Sequence, residues 1–155
     1  MKKIISGGQS GADIGALDAA IGKQFPVGGF CPQGRESQIN LDPTVYPLIE
    51  VDGGYRQRTK ANIQHSDATV IFYDSDVLGG SELTLYLCIK SKTPYKLIDT
   101  SLVSADTAAK VLHSFTLRHD VKVLNVAGPS QSRSPEMYAF VKNTIECLID
   151  HYVVC

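Results

Sequence analysis

Gly7, Gly8, Gln9, Ser10 and Gly11 follow the apolar pair Ile4-Ile5 and lead into Ala12 to Gly22, where small and apolar residues recur at helical spacing. A glycine-rich turn between a strand and a helix aims unpaired N–H groups, and the positive end of the helix dipole, at whatever lies over it. That chemistry suits an anion, and Ser6, Gln9 and Ser10 add polar donors at the same turn. The arrangement returns at Gly79-Gly80-Ser81, between the apolar run Ala68 to Tyr73 and an expected helix Glu82 to Lys90. Asp74 and Asp76 stand in the same loop, where carboxylates could accept hydroxyl protons from a sugar, hold a metal ion, or simply close an Asx turn. Three arginines are the candidate anion partners. Arg35 lies in the polar loop Pro32 to Pro43, and Arg56 and Arg58 lie with Lys60 on the polar helix Tyr55 to Ser66.

The first glycine turn matches no standard phosphate motif. Glycines at 7, 8, 11 and 15 miss G-x-G-x-x-G, and no acidic residue stands about 20 residues beyond the first. Gly22-Lys23 is followed by Gln24, so the P-loop pattern fails as well. His65, His113, His119 and His151 are far apart in sequence and show no metal-ligand spacing. No role is assigned to them.

The elements that must position these residues alternate. Strands are expected at Ile4-Ile5, Phe25 to Cys31, Tyr46 to Val51 (held to a sheet edge by Pro47), Ala68 to Tyr73, Tyr95 to Asp99 and Val121 to Val126. Ala68 to Tyr73 is a continuous β-branched and aromatic run, the pattern of a central strand buried on both faces. Helices fall between the strands: Ser104 caps one running to about Arg118, and Ser134-Pro135-Glu136 opens the last, whose Phe140, Ile145, Leu148 and Ile149 form an apolar face. Strand–helix alternation of this kind predicts an α/β fold, a three-layer Rossmann-like sandwich on a mostly parallel sheet, with residues 1–155 as one domain. In such a sheet the loops after the strands gather on one edge, so the two Gly-Gly turns are expected to form one site.

Composition narrows the partners. Fifteen Lys and Arg against sixteen Asp and Glu give a net charge of −1, which offers no general attraction to nucleic acid or an anionic membrane. No apolar run reaches the length of a membrane span and no signal-peptide pattern precedes the first strand, so a cytoplasmic protein is expected. Cys31, Cys88, Cys147 and Cys155 are scattered without a C-x-x-C pair, as reduced thiols are.

Seven segments together resemble one family: SGGQSGAD (Ser6 to Asp13), ALDAA (Ala16 to Ala20), GGFCPQGR (Gly28 to Arg35), YRQRTKANI (Tyr55 to Ile63), SDATVIF (Ser66 to Phe72), GGSELT (Gly79 to Thr84) and LNVAGPS (Leu124 to Ser130). The chain is similar over nearly its whole length to the "putative molybdenum carrier" family, a Rossmann-like group in the superfamily of the lonely-guy type nucleotide phosphoribohydrolases and the DNA-processing protein DprA. Members usually carry Arg, Trp, Lys and Arg where this chain has Ile14, Phe30, Gln33 and Ser130. The resemblance implies a carrier of molybdenum cofactor, a pterin bearing a phosphate, and leaves a homo-oligomer open. The hydrolases' catalytic Arg–Glu pair is not reproduced in this chain; the alternative from a different class is a hydrolase acting on a nucleoside monophosphate, with Glu82 or Asp74 as general acid/base and Arg56 or Arg58 as phosphate clamp. A nucleotide-sensing module is a third reading. The expectation carried forward is a binding protein for a phosphate-bearing small molecule, held by Gly7, Gly8, Gln9, Ser10, Gly11, Arg35, Arg56, Arg58, Gly79, Gly80 and Ser81.

Overall fold

A computed structural model describes residues 1–153, so Cys155 lies outside the described residues. Seven strands alternate with five helices: β1 (Lys3–Ser6), α1 (Ala12–Gly22), β2 (Val27–Gly28), β3 (Phe30–Pro32), β4 (Ile49–Val51), α2 (Tyr55–Gln64), β5 (Ala68–Tyr73), α3 (Gly80–Ser91), β6 (Tyr95–Asp99), α4 (Ala105–Arg118), β7 (Val123–Ala127) and α5 (Met137–Asp150). Five strands form one parallel sheet in the order β2-β1-β7-β5-β6, and β3 and β4 pair in a small parallel sheet of their own. The fold is a three-layer, Rossmann-like α/β sandwich.

Side-chain alternation along the strands splits the core into two layers. Ile4, Val70, Phe72, Leu124 and Val126 face one way and pack with α1, α4 and α5. Small residues make that packing close: a Cβ on Gly15 would stand 2.7 Å from the Tyr138 carbonyl oxygen, and Ala12, Ala16, Ala19 and Ala20 are fully buried. On the opposite face Ile63 of α2 packs with Leu87 and Cys88 of α3. There the sheet carries polar residues in its interior, and the Asn125 amide donates to Thr69 Oγ1 at 3.1 Å.

Several expected boundaries move. The segment Phe25 to Cys31 splits at Gly29, whose φ of +130° turns the chain out of the main sheet. A side chain at Gly29 would meet the Ser6 backbone, so that turn requires glycine. Tyr46 to Val51 shortens to Ile49–Val51 and pairs only with β3. The described residues thus form seven strands rather than six, the extra one arising from the Gly29 break. β5 is interior and buried, but the middle of the sheet belongs to β7. Ser104 caps α4 by accepting from Thr107 N–H, as its position predicts. Ser134-Pro135-Glu136 instead forms a turn outside α5, with the Met137 N–H bonded to the Ser134 carbonyl at 3.1 Å and no side-chain cap.

The long loop between β3 and β4 is pinned by its own polar groups. Tyr46 Oη donates to Asp18 Oδ1 at 2.7 Å and Tyr138 Oη to Asp18 Oδ2 at 2.5 Å, which ties loop and α5 to α1. Burial and the Asp18 carboxylate together push the Tyr46 hydroxyl up to about 12, so it stays a donor. His113 and His151, far apart in sequence, stack with ring centroids 4.6 Å apart where α4 meets the end of α5. Among the described residues no helix is long and apolar enough to cross a membrane.

Candidate functional site

Strand direction decides where a site can form. β1 leads into α1 on one face of the sheet and β5 into α3 on the other, with β7 between them, so a crevice opens above the carboxyl ends of these three strands. A cavity of about 230 Å³ occupies that crevice. Gly7 and Gln9 reach it from the first glycine turn, Gly80 and Ser81 from the start of α3, and Arg58 from α2. Both Gly-Gly turns therefore contribute to one cleft.

Arg58 is held inward by the glycine turn. Its Nη1 donates to the Gly7 carbonyl at 3.0 Å and to Asp13 Oδ2 at 3.3 Å, and the guanidinium carbon lies 5.5 Å from the centroid of the Tyr55 ring. The arrangement needs glycine at position 7, because a Cβ there would run into the guanidinium. Asp13 occupies the first turn of α1 and also accepts from the Gln9 N–H at 3.2 Å. Burial pushes the Asp13 carboxyl above the usual carboxylate range, against the opposing pull of Arg58 and the Gln9 N–H. Asn62 is committed elsewhere. It accepts from the Phe30 N–H at 2.9 Å and donates to the Phe30 carbonyl at 3.0 Å, fastening α2 to β3.

Three buried side-chain polar atoms have no partner among the described residues: Gln9 Nε2, Arg58 Nε and Ser81 Oγ. All three belong to residues that line this one cleft. Buried donors are paired almost everywhere in folded proteins, because an unpaired one costs about 1–3 kcal/mol. All three orphans face one cavity, which therefore holds donors that the protein itself leaves without acceptors.

The other expected residues support the cleft or lie away from it. Gly8, at φ +82°, turns toward Leu41 and Leu48, each with a methyl carbon 2.9 Å from where a Cβ would sit. Ser10 joins loops: its N–H donates to Gln38 Oε1 at 3.3 Å and its hydroxyl accepts from the Gln131 N–H at 3.2 Å. Gly11, at φ +87°, sits against the Pro129 carbonyl. Gly79, at φ +58°, leaves room for the Arg133 guanidinium. Arg35 does not line the cleft. Its guanidinium donates to the carbonyls of Leu41, Leu48 and Tyr46 at 2.5, 3.0 and 2.7 Å, which ties down the long loop. Arg56 is exposed on the outer side of α2 and does not line the cleft. Glu82 and Asp74 are likewise exposed and outside it; Asp74 accepts from the Ser75 hydroxyl and pairs with Asp76 in an isolated bridge. The acid/base roles considered for those two carboxylates have no geometric support.

Sequence reasoning missed Asp13, Asn125 and Arg133, all of which line the cleft. Asn125 left a signal, an amide inside the apolar strand VLNV. Arg133 left none, since it is six residues beyond the end of β7 and reaches the cleft only through the fold of that loop.

Known proteins agree with this architecture. A solved structure named "putative molybdenum carrier protein", from Syntrophus aciditrophicus, is similar with a TM-score of 0.91 and 38% sequence identity, over 96% of this chain and 95% of that one. No curated protein matches the chain. The model of the circularly permutated YpsA SLOG family matches residues 4–149. That match takes in every element from β1 to nearly the end of α5, the cleft included, and the chain belongs to the circularly permutated YpsA SLOG family.

Proposed function

We propose that this protein binds a small phosphate-bearing molecule in the cleft above β1, β7 and β5, and that it serves as a carrier or receptor for that molecule. One observation carries the reading: the three unpartnered buried donors around the cavity. Gln9 Nε2 and Arg58 Nε can only donate, so the ligand must offer acceptors, and the start of α3 favours negative charge among them. The cavity, at about 230 Å³, is smaller than the usual drug-sized pocket of roughly 300–1,000 Å³ and suits a mononucleotide or pterin phosphate better than a dinucleotide.

The similar structure is named for carrying molybdenum, and the family resemblance adds molybdenum cofactor as one ligand of this class. Among the lining residues Gln9, Arg58, Ser81 and Arg133 supply donors that fit its phosphate and its ring acceptors, and the lining holds no cysteine or methionine sulfur for a soft metal. A phosphorylated organic cargo is therefore the better match to these side chains than a bare metal ion.

Native mass spectrometry of the protein as purified tests the proposal, because a retained ligand names itself by mass and the subunit count comes with it. Titration with AMP and with a pterin monophosphate completes the test. Saturable binding of either, weaker at high salt, is the expected result. Absence of a retained ligand together with no binding of either compound at millimolar concentration would overturn it.

A further inference from the structure

The main sheet ends on β6, and among the described residues no strand pairs with its outer side. The ladder to β5 fixes which main-chain groups are left over. The Thr69 N–H donates to the Pro94 carbonyl at 3.0 Å and the Thr100 N–H to the Tyr73 carbonyl at 2.8 Å, so Lys96 and Ile98, in step with Pro94 and Thr100, also turn their main-chain groups inward. By the same alternation Tyr95, Leu97 and Asp99 turn theirs outward. One of these outward groups is engaged, the Asp99 carbonyl, which accepts from the Leu102 N–H at 3.1 Å.

Edge strands are commonly protected by an internal proline, a bulge or charged side chains. β6 has neither of the first two, and pairs with β5 residue for residue from Tyr95 to Asp99. Its charges are turned aside. Ile98 packs in the core layer that holds α4, so Lys96 lies on that face of the sheet, while the Asp99 carboxylate accepts from the N–H groups of Ser75 and Ser101 at 3.1 and 2.9 Å. Apolar surface flanks the strand: Ile89 of α3 and Tyr95 are 56% and 38% exposed and line one groove with Pro94.

This edge is complementary to itself. A two-fold axis perpendicular to the sheet keeps like faces together, so the antiparallel registers it allows are centred on a single residue. Centring on Lys96 opposes two lysines, which is destabilising. Centring on Ile98 sets Leu97 against Asp99 and carries Tyr95 past the end of the strand, to Ser101. Centring on Leu97 sets Leu97 against itself, Lys96 against Ile98 and Tyr95 against Asp99, with no like charges opposed and every outward-facing residue matched to another. We propose that two copies of this chain dimerise through β6 in the register centred on Leu97, joining their five-stranded sheets into one. About four main-chain bonds form it: the Leu97 N–H to the Leu97 carbonyl and the Asp99 N–H to the Tyr95 carbonyl, each in both directions. Because the pairing is antiparallel, the two ligand clefts open at opposite ends of the joined sheet, and each stays accessible.

Analytical ultracentrifugation over about 1 to about 500 μM protein tests the proposal, a span that covers affinities expected of a short interface. Wild type should show a monomer–dimer equilibrium. Leu97→Pro removes only an outward N–H, at an edge position that tolerates proline, and should weaken the dimer roughly 10- to 100-fold through two lost bonds while circular dichroism stays that of the folded chain. Leu97→Lys and Leu97→Glu each place like charges across the axis and should be monomeric alone; their equimolar mixture should recover a dimer. Wild type that stays monomeric throughout would overturn the proposal. So would a folded Leu97→Pro that dimerises as wild type does, or a charge-paired mixture that fails to associate.

Discussion

Gly79 and Gly80 are neighbours in the chain, yet the structure predicts opposite results for the same substitution. Gly79 has φ +58° and ψ −125°, a region that residues with a Cβ rarely adopt, and its Cβ would press on Arg133 Nη1 at 2.6 Å. Strain of that kind is worth about 1–3 kcal/mol. For a chain of this length each kcal/mol moves Tm by about 2–4 °C, so Gly79→Ala should lower Tm by roughly 2–12 °C. Gly80 is the first residue of α3, is not among the glycines with positive φ, and has open space around its Cβ position. Alanine there restricts the unfolded chain at no steric cost, a gain of about 0.4–1 kcal/mol, or roughly 1–4 °C in Tm. Binding should separate the two as well. Gly80→Val keeps the fold but projects its branches into the cavity, so AMP affinity should fall at unchanged or raised Tm. Scanning calorimetry paired with AMP titration reads both quantities. The reasoning fails if Gly80→Ala loses as much Tm as Gly79→Ala, or if Gly80→Val binds AMP as tightly as wild type.

Three further outcomes follow from the same geometry. Asp13→Ala should cost about 3–5 kcal/mol in urea unfolding, because it strands the Arg58 charge in a buried position where the pair's side chains are only 10% and 8% exposed; a loss under about 1 kcal/mol would mean that solvent reaches Arg58. Arg35→Ala should cost at least about 1.5 kcal/mol by frustrating the carbonyls of Leu41, Tyr46 and Leu48, with faster amide exchange in that loop; an unchanged urea midpoint with lost phosphate binding would return Arg35 to the site. Burial, the stacked His151 ring and the amino terminus of Met1 hold His113 below the ordinary value of 6.5, so the folded chain resists a proton that the unfolded chain accepts. Stability should accordingly decline as pH falls below 6.5, and His113→Phe should flatten the difference in urea midpoint between about pH 7.5 and about pH 5.5.

What the sequence determined by itself was everything carried by short-range pattern. The apolar run Ala68 to Tyr73, the small-residue face of α1 and the Ser104 cap are local signals, readable because strand and helix periodicities and end chemistry act within a few residues. Strand–helix alternation also sufficed for a parallel sheet, since parallel strands need crossovers, and hence for both Gly-Gly turns lying on one edge. Which of the loop residues line the cleft was beyond local pattern. Arg35 and Arg58 are both polar-segment arginines, but three carbonyls of a folded loop claim the first, while the second is drawn into the cleft by Gly7 and by Asp13, 45 residues away in sequence. Arg133 and Ser81 line one cleft only because β7 and β5 are adjacent in space, although their loops are distant in the chain. Orientation of a side chain in a loop depends on which acceptors the rest of the fold leaves free, and that accounting closes only in the tertiary structure.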